Sequence, residues 1–264
     1  MIGAIAGAVI GSVHEGAGTK TTEFPLFDES CQFTDDTVLT LAVASALLTG
    51  TDYIDAFHEF FHAYPQAGYG GSFIGWAVRR CRKPYNSWGN GSAMRVSPVG
   101  FAFDSLDEVV AQARMTAEVT HSHPEGIRGA QATAVAILLA RMGYDKSGIR
   151  KHLECESGYH LSDSLDNIRS DYEFDVSCQG SVPQSIIASL ESHDYEGAIR
   201  NAISLGGDAD TMACIAGGIA EAYDGSVPEH ISRQALNRLD TRLQTIAGEF
   251  TQKFGNRRTR QIKL

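Results

Sequence analysis

The chain has 264 residues, with 43% hydrophobic and 20% charged residues and a formal net charge of −10. A chain of this size buries roughly three quarters of its unfolded surface, so stability requires no disulfide or structural metal. The acidic balance argues against a protein whose main affinity is for nucleic-acid phosphates, and five scattered cysteines without a CxxC pair argue against a disulfide framework or a zinc site.

Helical periodicity runs through the chain, and alternating strands are absent. The opening stretch, MIGAIAGAVIGSVHEG, has no basic n-region and reads as a buried helix rather than a signal peptide. Its Gly3, Gly7 and Gly11 recur every four residues beside Ala4 and Ala8, a spacing that makes one smooth face for close helix packing. A second helix is expected from Thr34, as N-cap, to Gly50, as the glycine that ends it. A third is expected from Thr51 to about Tyr64, before Pro65.

Residues 65–100 carry seven glycines and prolines at 65, 84 and 98, and read as irregular chain of the kind that often serves function. Helices resume at the capping-box pattern Ser105-Leu106-Asp107-Glu108, running to about Thr120, and again from near Pro124 to Met142. Shorter pieces fill 145–181. Further helices are expected at 182–191, 194–204, 211–223 and 229–254. The basic residues Arg257, Arg258, Arg260 and Lys263 read as a solvated tail.

No low-complexity linker or fixed repeat divides the chain, so residues 1–264 are expected to form one domain. No run approaches the ~20 apolar residues of a membrane span. A cytoplasmic, monomeric protein is expected, the cysteines suiting a reducing compartment.

Two acidic clusters carry the chemistry. Thr34-Asp35-Asp36 and Asp208-Ala209-Asp210-Thr211 each supply two carboxylates and a hydroxyl at the start of an apolar helix. Hard cations such as Mg²⁺ and Mn²⁺ prefer such oxygens. Helix capping explains either cluster alone equally well. Two converging clusters would place four repelling carboxylates together unless cations lie between them. The run Trp88 to Arg95 offers glycine backbone N–H groups and one guanidinium that suit a diphosphate, against the simpler reading of a glycine turn.

Taken together, GAIAGAVIGSVHE, FTDDTVLTLAVA (33–44), GNGSAMRVSPVG (89–100), THSHPEGIRGA (120–130) and GGDADTMACIAGGIAEAYDG (206–225) resemble the ADP-ribosylglycohydrolases. The resemblance implies an all-α fold, an orthogonal multi-helix bundle, with two divalent metal ions, Mg²⁺ or Mn²⁺. It implies metal ligation by Thr34, Asp35, Asp36, Asp208, Asp210 and Thr211, and a catalytic part for Glu15, Asp35 and Asp36. Gly89, Asn90, Gly91, Ser92, Met94, Arg95 and His121 would hold the substrate. The implied reaction is hydrolysis of the bond between the distal ribose of ADP-ribose and an acceptor on a protein or related conjugate. One departure is Ala8, where many relatives carry aspartate. A helix long enough to include Glu15 would put both residues on one face. The competing reading is a non-catalytic ADP-ribose-binding or structural member of the same fold.

Overall fold

The computed structural model describes residues 1–255, and the basic tail at Arg257, Arg258, Arg260 and Lys263 lies outside them. The described chain is all helix. α1 (Ile2–Gly11) is followed, after a long loop, by α2 (Asp35–Thr49) and α3 (Tyr53–Ala63). The segment read as irregular instead forms three short helices, α4 (Gly71–Val78), α5 (Gly91–Met94) and α6 (Ser97–Ala102). Tertiary contacts override the glycine content there: Phe73 and Trp76 of α4 pack against Phe61, Tyr69 and His58, the last stacked on Trp76 at 4.1 Å.

Then come α7 (Leu106–Glu118), α8 (Pro124–Arg141), α9 (Lys146–Ser157), α10 (Leu165–Asp171) and α11 (Cys178–Leu190). α11 begins earlier than expected because the Ser177 side chain caps it, accepting from the backbone of Gly180. The capping box at Ser105 does not form; that residue occupies the N-cap position but makes no side-chain cap bond. α12 (Tyr195–Ile203), α13 (Ala209–Asp224), α14 (Glu229–Leu236) and α15 (Thr241–Phe254) complete the bundle. The last two were expected as one helix. Asp240 interrupts it by accepting from the Leu243 amide, restarting the chain as a new helix. Gly50 ends α2 and Gly225 ends α13 in the left-handed conformation, which glycine adopts without a Cβ penalty.

The architecture is an all-α multi-helix bundle, with no strand among the described residues and one isolated bridge between Gly89 and Ser177. At its centre, α13 is buried from Ala209 to Ala220, and it packs against α1, α8, α11 and α12. The α1–α13 contact is backbone on backbone. A Cβ on Gly7 would lie 2.1 Å from the carbonyl oxygen of Ala213, and one on Gly3 would lie 2.3 Å from that of Gly217. A Cβ on Gly11 would lie 2.5 Å from the Cα of Asp210. Each helical glycine costs roughly 1 kcal/mol of helix propensity relative to alanine. The close approach it permits sets the start of α13, and with it Asp208 and Asp210, against the end of α1. No helix among the described residues is long and apolar enough to cross a membrane.

Candidate functional site

The N-termini of α2 and α13 open into one cavity of about 350 Å³. Thr34 and Asp208 occupy the N-cap positions of these helices, and neither side chain makes a cap bond. The Thr34 hydroxyl instead donates to Asp36 at 3.2 Å, and Asp208 accepts from the Asn90 side-chain amide at 2.8 Å. Capping therefore does not account for Thr34 or Asp208. Both sets line the same cavity.

Glu15 joins them from outside any helix. α1 stops at Gly11 and the chain turns through residues 12–17. Ala8 and Glu15 consequently share no helix face: Ala8 is fully buried in the core and does not line the cavity, whereas Glu15 is exposed and does. Carboxylate oxygens of Glu15, Asp208 and Asp210 lie within 4.8 Å of one another, a cluster able to hold a metal ion.

Electrostatics make the crowding plain. Burial, and then the neighbouring Asp210 charge, push the carboxyls of Asp35, Asp36 and Asp208 above their ordinary range. Glu15 is raised first by Asp210 and second by partial burial. Asp36 also keeps a buried carboxylate oxygen with no hydrogen-bond partner. An orphaned anionic oxygen among mutually repelling carboxylates fits a divalent cation, whose charge would relieve both costs.

The glycine run forms the facing wall. Gly89, Asn90, Gly91, Met94, Arg95 and His121 all line the cavity. Ser92 does not: it is fully buried, and its hydroxyl donates to the Gly126 carbonyl at 2.7 Å, tying α5 to α8. Asn90, on the same wall, donates through its side-chain amide to Asp208 and Ser181. Met94 accepts a hydrogen bond from the Thr211 hydroxyl through its sulfur at 3.7 Å. Arg95 is fully buried, stacked on Phe57 at 4.5 Å and donating to the Thr116 carbonyl and the Thr120 hydroxyl.

Sequence reasoning did not single out Leu39, Ser72, Phe73, Tyr85, Ser87 or Val176, which complete the lining with Gly68, Gly70 and Gly71. The glycine density of 65–91 was the one available signal, and it marked the region without marking side chains.

A sequence model of the family described as ADP-ribosylglycohydrolase matches residues 1–260. ADP-ribosylhydrolase ARH3 of Mus musculus is 28% identical over 311 residues, covering 87% of this chain and 84% of the mouse protein. The Homo sapiens protein of the same name is 30% identical over 267 residues, covering 76% of this chain and 74% of its own length. A solved structure described as an ADP-ribosylglycohydrolase-related protein complex matches 96% of both chains with a TM-score of 0.64 at 23% identity, a likeness of fold alone.

Proposed function

The chain belongs to the ADP-ribosylglycohydrolase family, and from that premise we propose that it is a metal-dependent hydrolase that frees ADP-ribose from a protein side chain or related conjugate. The observation that carries the reading is the convergence of Thr34-Asp35-Asp36, Asp208-Asp210-Thr211 and Glu15 in one cavity, opposite the Gly89–Arg95 wall. The names of relatives such as the mouse and human ADP-ribosylhydrolases point the same way.

In this reading, Thr34, Asp35, Asp36, Asp208, Asp210 and Thr211 hold two divalent cations, Mg²⁺ or Mn²⁺. Bound there, such ions supply Lewis-acid polarisation and a template for the ribose hydroxyls. The protein's own groups do the rest. Asn90 fixes the orientation of Asp208 through its 2.8 Å hydrogen bond. Asp36, held by the Thr34 hydroxyl, and Glu15, at the exposed rim, are the carboxylates placed to take a proton from an attacking water. Glycoside cleavage passes through an oxocarbenium-like state, and a cavity walled by carboxylates favours that developing positive charge. The wall at Gly89, Gly91, Met94 and His121 would carry the rest of ADP-ribose.

The test is release of ADP-ribose from arginine-linked and serine-linked conjugates, with Mg²⁺, with Mn²⁺ and with chelator. Release from at least one linkage, dependent on a divalent ion, is expected. Tight ADP-ribose binding without release from any linkage would overturn the hydrolase reading in favour of a binding module.

A further inference from the structure

His121 has one ring nitrogen facing inward and one facing the cavity, and its inner partner belongs to a directional chain of hydrogen bonds. Its Nδ1 is 2.7 Å from the hydroxyl oxygen of Thr120, and that oxygen is 2.9 Å from a terminal guanidinium nitrogen of Arg95. Thr120, Arg95 and His121 are all buried. A guanidinium has no acceptor, so Arg95 must donate and the Thr120 oxygen must accept. A threonine hydroxyl has two lone pairs and a single proton. Among the described residues, the acceptor within hydrogen-bonding distance of the Thr120 proton is His121 Nδ1. With Arg95 donating to the oxygen, the threonine proton goes to His121 Nδ1, because the reverse arrangement would leave a buried hydroxyl proton without an acceptor.

On the other side of the ring, Nε2 points at the glycine strip. A Cβ on Gly91 would lie 3.3 Å from it and one on Gly89 would lie 3.5 Å from it, so any side chain at either position would cover this nitrogen. No side chain bonds to Nε2 among the described residues.

We propose that Arg95 and Thr120 are positioning residues that lock His121 as the neutral Nε2–H tautomer, a hydrogen-bond donor aimed at an oxygen of the ligand lying over Gly89 and Gly91. The identity of that ligand as ADP-ribose rests on the hydrolase reading above, while the tautomer does not. Burial first, and the Arg95 charge second, hold the imidazole well below its ordinary pKa, in keeping with a neutral ring. The arrangement also explains why a buried arginine with two unpartnered guanidinium nitrogens, Nε and Nη1, is kept beside the cavity. It orders the donors behind the wall instead of touching the ligand. The opposite arrangement, with Nδ1 donating, would leave the buried Thr120 proton without an acceptor and would present a bare lone pair to the anionic oxygens of a diphosphate, a repulsive contact.

The experiment reads the tautomer directly. In protein labelled with ¹⁵N-histidine, the resonances of His121 are identified by their absence from the His121→Gln spectrum. The shift pattern expected in the unaltered chain is protonated Nε2 with unprotonated Nδ1. Thr120→Val should abolish that fixed pattern and weaken ADP-ribose binding by about tenfold, the loss of one directed hydrogen bond. Thr120→Ser, which keeps the hydroxyl, should restore both, and its circular dichroism controls for folding. A protonated Nδ1 in the unaltered chain overturns the proposal, as does an unchanged tautomer in a folded Thr120→Val. The expected tautomer in a chain that fails to bind ADP-ribose would support the relay and count against the hydrolase reading alone.

Discussion

The two sides of the acidic cluster are built on opposite principles. Asp208 and Asp210 stand at the start of a buried helix whose backbone lies directly on the backbone of α1, so their positions are set by packing that has no slack. Glu15 stands on a loop, residues 12–34, that has no helix or strand of its own. That loop is held by cations bonded to carbonyls. The Lys20 ammonium donates to the carbonyls of Arg169, Tyr172 and Leu205. Arg200 donates to those of Thr22 and Phe24 and lies over the Phe24 ring. Arg238 donates to those of Asp28 and Cys31 and lies over the Phe27 ring. One half of the site is fixed by sterics, and the other by a few polar ties that can break singly. Loops held this way open at lower free energy than packed helices.

Breaking the packed half should have the largest effect. Gly7→Val places branched carbons where the Ala213 carbonyl lies, and overpacking of this severity costs about 3 kcal/mol or more. For a chain of this length that corresponds to a fall in Tm of very roughly 6–12 °C, measured by differential scanning calorimetry. An unchanged Tm would mean that α1 and α13 part easily, and the contrast would fail.

Protons and cations give the next effect. Carboxyls raised in the folded state stabilise it below their unfolded pKa, near 4, and that stability is lost as pH rises through the folded values. In chelator, stability of the purified chain should therefore drop from about pH 4 upward, by up to roughly 1.4 kcal/mol per pH unit for each proton released. Added Mg²⁺ or Mn²⁺ should remove this slope by binding the ionised cluster. Urea melts between pH 4.5 and 8 would check it; identical curves with and without cation would show that the repulsion is not relieved there.

The smallest effect is expected from the polar ties. Lys20→Met should lower kcat by about tenfold, a change in barrier of ~1.4 kcal/mol, while leaving Tm within a degree or two. Hydrogen exchange should quicken at residues 13–20 and stay constant in α13. Equal quickening of exchange in both segments, or none in either, would dissolve the distinction between the two halves.

The acidic clusters were legible in the sequence because metal-binding oxygens need a narrow set of residue types, and both sets sit at recognisable helix starts. Helices such as α2, with its N-cap threonine and terminal glycine, were legible for the same local reason. What could not be read was decided by residues distant along the chain. The Ser92 hydroxyl turns inward because the Gly126 carbonyl awaits it, and Asn90 is drawn to Asp208, 118 residues away. Arg95 reads in its glycine run as a partner for a diphosphate, and only the Phe57 ring and the Thr116 carbonyl explain its burial. α4 and α5 were missed because eight and four residues give periodicity too few turns to register. The opposite error joined α14 to α15, where apolar spacing continued across a break that Asp240 imposes.

The glycine seam has a consequence for how such a protein can diversify. Where two helices meet through side chains, a core substitution can be absorbed by a neighbour's repacking, and the geometry at the helix ends can drift over many small exchanges. Between Gly7 and Ala213 there is no side chain to trade. A lineage carrying this seam inherits a fixed placement of Asp208 and Asp210 against α1, and change around the cavity falls to the loop at 12–34 and the segment at 65–88 instead.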